Sequence, residues 1–143
     1  MILLDVNVVL AAHRADHPHH DVVRAWFDGL TAGEDPFAVP DVVWASFVRL
    51  STNRRIFEVP TPVGDAFGFL RAVRSHPNHV AIVPAEGHIG IFEDLCTRFD
   101  ASGDLSADAY VAALAIEQGS SLASLDRDFA RFTSLDWVRP GES

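Results

Sequence analysis

Met1-Ile-Leu-Leu-Asp-Val-Asn-Val-Val-Leu10 is an apolar run with two polar residues, Asp5 and Asn7, set into its middle. Ile2 to Leu4 reads as a short buried strand, and Asp5 falls at or just past its carboxyl end. A carboxylate is costly to bury without a partner, so this Asp needs a reason to be there. Two reasons compete. Asp5 can cap a helix begun by Val8 to Ala12, because Asp is a favoured acceptor for first-turn N–H groups. Alternatively it lies where parallel α/β sheets bind ligands, outside the carboxyl ends of their strands.

The elements downstream favour such a sheet. Val22, Val23, Trp26, Phe27 and Leu30 recur at helical spacing between the polar turn Ala15 to His20 and Gly33. Pro36 to Val39 predicts a second strand, and Pro40 suits the first turn of a helix running to about Ser51, closed by Arg54 and Arg55. Val63, Phe67, Leu70 and Val73 predict one face of the next helix. Val80 to Val83, stopped by Pro84, predicts a further strand. Ile89, Phe92, Leu95, Cys96 and Phe99 mark another helix. Ser106 to Gln118 reads as a helix with Ser106 as N-cap and Gly119 at its end. A strand at Leu122 to Leu125, a helical turn at Arg127 to Phe132 and an edge strand at Leu135 to Val138 complete the chain. Strands alternating with helices predict an α/β fold: one domain over 1–143, with a parallel sheet of about four to five short strands and helices on both faces.

Composition narrows the function. The 143 residues, 48% hydrophobic and 22% charged, suffice for one core without disulfides or a structural metal. The lone Cys96 makes no internal disulfide, and no Cys/His spacing suits zinc. The apolar start lacks a basic leader and a cleavage site, and Asp5 interrupts it, so neither a signal peptide nor a membrane span is expected and the reading is cytoplasmic. The formal charge of -9 argues against nucleic acid unless bound cations reverse the local field. All eleven basic residues are Arg, which excludes any mechanism requiring a lysine.

Two further stretches carry acids. Leu105 to Ile116 is apolar on every side from Ala109, so its first-turn Asp108 should see little open water, although the helix dipole alone also favours an Asp there. Ser124-Leu-Asp126-Arg-Asp128-Phe follows a predicted strand, as Asp5 does; an Asx turn, with Asp128 pairing Arg127 or Arg131, is the structural alternative. Asp5, Asp108 and Asp126 together would repel one another without a cation. Oxygen ligands of this kind suit Mg²⁺ or Mn²⁺, which assist phosphodiester hydrolysis by polarising a phosphoryl oxygen and acidifying water.

Asp5-Val-Asn7, Asp108-Ala-Tyr-Val-Ala-Ala-Leu-Ala and Ser124-Leu-Asp126-Arg-Asp128-Phe, in that order and in a chain of this length, resemble a PIN-domain ribonuclease of the VapC toxin type. The resemblance implies a Mg²⁺- or Mn²⁺-dependent endoribonuclease, usually a homodimer, neutralised by a VapB-like antitoxin whose C-terminal segment covers the site. It makes Asp5, Asp108 and Asp126 metal ligands. Asn7 and Ser124 orient ligands or water, and Asp128 supports the cluster from outside it or through water. Such enzymes usually carry a Glu on the helix after the second strand, where this chain has Ala45 or Ser46. Asp41, a turn earlier, is a substitute whose simpler role is that of a first-turn acid. That departure implies one metal, or a weak second one, and keeps open a non-catalytic PIN-like module that binds RNA or protein.

Arg14, Arg49, Arg54 and Arg55 are the candidate RNA phosphate contacts. His13, His17, His19 and His20 read as a solvated turn, not a metal cluster. Trp26, Phe27, Trp44 and Phe47 read as core, with room for a partner's helix. Haloacid-dehalogenase-like phosphatases and receiver domains also place an Asp after their first strand, but both rely on a Lys, and the phosphatases want an acid where Asn7 stands.

Overall fold

The computed structural model describes residues 1–142. Ile2–Leu4 forms strand β1, and β2 (Phe37–Ala38), β3 (Ser121–Ala123) and β4 (Trp137–Val138) join it in one parallel sheet of order β2-β1-β3-β4. Helices α1 (Val6–His13), α2 (His20–Ala32), α3 (Asp41–Ser51), α4 (Val63–Arg74), α5 (His88–Arg98) and α6 (Asp104–Glu117) surround it. Successive strand side chains point to opposite faces. Leu3 and Leu4 are both fully buried, so both faces of the centre are covered. Each such side chain contributes about 1.5–3 kcal/mol relative to exposure.

The register places the chemistry. Leu4 pairs with Ala123, and the Asp5 N–H continues the ladder by donating to the Ala123 carbonyl at 2.9 Å. The Ser124 N–H donates to the Val138 carbonyl at 3.0 Å. Asp5 and Ser124 therefore leave neighbouring central strands at one edge, where the chain turns into α1 and into a 3-10 turn at Arg127–Arg131. Helix α6 is as apolar as its sequence implies: Ala109 and Val111 to Ala115 are all buried, and Gly119, with φ 63°, turns the chain into β3.

Several expectations shift. Val80 to Val83 is not a strand: His79 makes one isolated bridge to Phe37, the Val80 N–H donates to the Phe37 carbonyl at 2.8 Å, and the chain departs with Val83 71% exposed. The partner β2 is only two residues long, so it offers no ladder to extend. Helix α6 begins at Asp104, not Ser106. Gly103, at φ 60°, supplies the entry bend, and the Ser106 hydroxyl donates back to its carbonyl at 2.6 Å. Helix α4 is rotated from its expected face. Val73 is buried and Leu70 half-buried, but Val63 and Phe67 are exposed, while Ala66 and Phe69 turn inward. Phe69 completes an aromatic cluster with His13, Phe27, Trp44 and Phe47, at ring separations of 4.8 to 6.4 Å. Three of the four aromatic residues read as core, Phe27, Trp44 and Phe47, are buried. Trp26 is half-buried beside a separate cavity of about 540 Å³, at the amino-terminal end of the strands.

Candidate metal centre

Asp5 caps α1 and also stands at the carboxyl edge of the sheet, tied to the loop after β3. Its Oδ1 accepts from the Val6 N–H at 2.8 Å, capping α1, while its Oδ2 accepts from the Ser124 hydroxyl at 2.8 Å and the Asn7 amide at 3.3 Å. Asn7 and Ser124 bind each other as well, at 3.0 Å, and Asn7 Oδ1 accepts the Leu125 N–H at 2.9 Å. The Asp126 N–H donates to the Ser124 hydroxyl at 3.1 Å. Ser124 therefore ties the end of β1 to the acidic loop after β3. Burial pushes the Asp5 carboxyl above its usual range, against the opposing pull of Ser124 and Val6; the Asp126 charge adds to the rise.

Asp126 also caps: its Oδ1 accepts the Asp128 N–H at 2.9 Å, the Asx geometry considered from sequence. Its other oxygen makes no hydrogen bond among the described residues. Carboxylate oxygens of Asp108, Asp126 and Asp128 come within 4.8 Å of one another, a spacing one cation can span. This trio includes Asp128, expected only as a support, and omits Asp5, expected as a ligand. Asp5 still acts on Asp108 more strongly than Asp126 or Asp128 does, because a buried charge is poorly screened. Desolvation first, then these three negative charges, push Asp108 up to about 7. A hard divalent cation with oxygen preference fits this donor set, since it supplies the missing positive charge.

The remaining candidates separate. Asp41 is exposed at the start of α3, Ala45 is exposed and Ser46 half-buried, so α3 offers no carboxylate at the position where the resemblance led one to expect a Glu. Arg14 is buried and spent on the fold. It donates to both Asp16 oxygens at 2.9 and 2.7 Å and to Thr61 at 3.1 Å, with the Phe57 ring 4.0 Å from its guanidinium carbon. Arg49, Arg54 and Arg55 are exposed. Of the histidines read as a solvated turn, His19 is exposed, but His13 is half-buried at the end of α1 and meets Thr61 at 3.1 Å, and half-buried His20 meets the Ala11 carbonyl at 2.7 Å. Of the two partners considered for Asp128, the structure selects Arg131. It sits 3.7 Å from Asp128 Oδ1, and its i,i+3 spacing from Asp128 was the available signal.

The family described as PIN domain matches residues 2–135. The chain belongs to the PIN-domain family. Among PIN-domain relatives, Ribonuclease VapC25 of Mycobacterium tuberculosis (strain ATCC 25618 / H37Rv) is 56% identical over 140 residues, covering 98% of this chain and 99% of that protein. Ribonuclease VapC31 of M. tuberculosis (strain CDC 1551 / Oshkosh) is 55% identical with the same coverage. Of solved PIN-like structures, VapBC2 from Rickettsia felis, bound to a promoter DNA fragment, superposes with TM-score 0.71 at 18% identity, covering 98% of this chain and 99% of that one. M. tuberculosis VapC20, described as a sarcin-ricin loop cleaving toxin, gives 0.69 at 17% identity, covering 98% and 100%. At such identities the structures show the fold alone; the PIN assignment rests on the family match over residues 2–135.

Proposed function

We propose that this protein is a Mg²⁺- or Mn²⁺-dependent endoribonuclease and the toxin of a toxin-antitoxin pair. It acts in the cytoplasm as a homodimer and is restrained by a VapB-like antitoxin. The observation that carries the nuclease reading is the convergence of Asp108, Asp126 and Asp128 within 4.8 Å, beside the buried Asp5, in a PIN domain. The toxin reading rests on relatives at 55–56% identity that are named as VapC ribonucleases. No helix among the described residues is long and apolar enough to cross a membrane.

When bound, a divalent cation supplies Lewis-acid polarisation of a phosphoryl oxygen and acidifies the attacking water. Asp108 and Asp126 would hold it together with Asp5 or Asp128. Ser124 and Asn7 fix the Asp5 carboxylate, so the buried oxygens stay in place while substrate enters. With its carboxyl pushed up to about 7, Asp108 is only partly ionised at neutral pH without a cation, and a bound cation would favour the ionised form. Arg49, Arg54 and Arg55 are exposed and free to meet RNA phosphates.

Antitoxin-free protein is expected to cleave structured RNA with Mn²⁺, and EDTA or Asp5→Asn is expected to abolish cleavage. One observation favours a second reading, a non-catalytic RNA- or protein-binding module: α3 carries Ala45 and Ser46 where the resemblance led one to expect a Glu. RNA left equally intact by wild type and Asp5→Asn would select that module.

A further inference from the structure

Resting on the nuclease reading above, the geometry points to Arg131 as a substrate-positioning residue. It is the cation that receives an RNA phosphate once the neighbouring carboxylates hold a divalent metal. Arg131 ends the 3-10 turn that Asp126 caps. Buried Phe129 and Phe132 flank it, their rings 6.1 Å apart, and Phe132 also packs on Phe99 at 5.7 Å. Apolar contacts therefore hold the backbone, while the side chain remains 34% exposed.

That side chain is lightly committed. Its Nε donates to the Asp128 carbonyl at 3.2 Å, and its guanidinium lies 3.7 Å from Asp128 Oδ1. The other ion-paired arginines are closer to their partners: Arg14 at 2.7 Å from Asp16, Arg127 and Arg139 at 2.8 Å from Glu142, Arg24 and Arg98 at 3.0 Å from Asp28 and Asp94. A long, exposed i,i+3 pair contributes little, so redirecting Arg131 costs little. Among the charges acting most on Asp108, Arg131 alone is positive.

The charge balance supplies the reason. Four carboxylates face at most two positive charges from one cation, so a phosphate approaching them still meets a negative surface. A guanidinium at the rim offsets this, and its fork matches two phosphate oxygens. Metal ligation by Asp128 would withdraw the carboxylate that now engages Arg131, so substrate binding would follow metal binding.

Thermal melting with two probes tests this. Mg²⁺ alone should raise Tm in wild type, Arg131→Lys and Arg131→Met. Inorganic phosphate at millimolar concentration, added after Mg²⁺, should raise it further in wild type and in the control Arg127→Gln, partly in Arg131→Lys and not in Arg131→Met. Phosphate without Mg²⁺ should leave wild type unmoved. The Mg²⁺ shift reports that each variant is folded with an intact acid site. Equal phosphate shifts in wild type and Arg131→Met overturn the inference, and so does a lost Mg²⁺ shift in Arg131→Met. A Mg²⁺ shift in wild type with none from phosphate removes the role of Arg131 alone. No Mg²⁺ shift in wild type removes the metal-dependent reading beneath it.

Discussion

Asp108 near the start of α6 gives the site its pH dependence. Its folded pKa of about 7 lies above the ordinary aspartate value of 3.8, so between the two the fold holds a proton that the unfolded chain releases. The native state then binds more protons across that interval, and stability falls as pH rises through it. The metal-free protein should therefore be favoured by this group below pH ~4 and lose the benefit by pH ~7. Asp5, also raised, acts in the same direction. Asp108→Asn should flatten the profile and raise Tm at neutral pH, while Mg²⁺ stabilises wild type more than the variant, increasingly so from acidic to neutral pH. Melting curves across that range, with and without Mg²⁺, measure both effects. Parallel pH profiles for the two proteins, or equal Mg²⁺ shifts, would take Asp108 out of the site.

At the scale of elements, sequence patterns located helices better than they located faces. Asp5, Asp108 and Asp126 were legible because an acid beside an apolar strand or on an all-apolar helix is conspicuous. Asp128 as part of the close trio was not, since its i+2 spacing from Asp126 equally suits a surface turn. Val80 to Val83 has strand composition, yet a strand needs a neighbour of matching length, which no local pattern reveals. On α4 the stripe through Val63 and Phe67 was the natural inward face. The structure instead buries Ala66 and turns Phe69 against four rings, because the aromatic cluster has room for Phe69. Two truncations separate these faces. Phe69→Ala should cost about 3 kcal/mol, near the low end for a large core deletion, and Phe67→Ala less than about 1 kcal/mol. Urea unfolding of both reads the difference, and similar losses would mean that α4 sits in the rotation first expected. Neither change should alter the Mg²⁺ shift, since neither residue touches the acids.

For the whole molecule the governing fact is a charge of -9 on a protein proposed to bind a polyanion. Twenty acids outnumber eleven arginines, and six of those arginines already face a carboxylate within 4 Å. General attraction therefore cannot bring RNA to this surface. Binding has to depend on a few placed cations and on the metal, which changes the sign of the field only where the acids converge. Two consequences are measurable. With EDTA, fluorescence anisotropy should detect almost no association with a structured RNA, and Ca²⁺, offered as a cation that binds without rapid turnover, should restore it. The salt dependence should be shallow, because contacts by Arg131, Arg49, Arg54 and Arg55 displace few counterions; log K should fall against log salt with a slope of about -3 to -4. A steep slope without divalent ions would instead reveal a basic surface formed in an assembly larger than this chain, and the acidic edge would lose its place as the point of RNA entry.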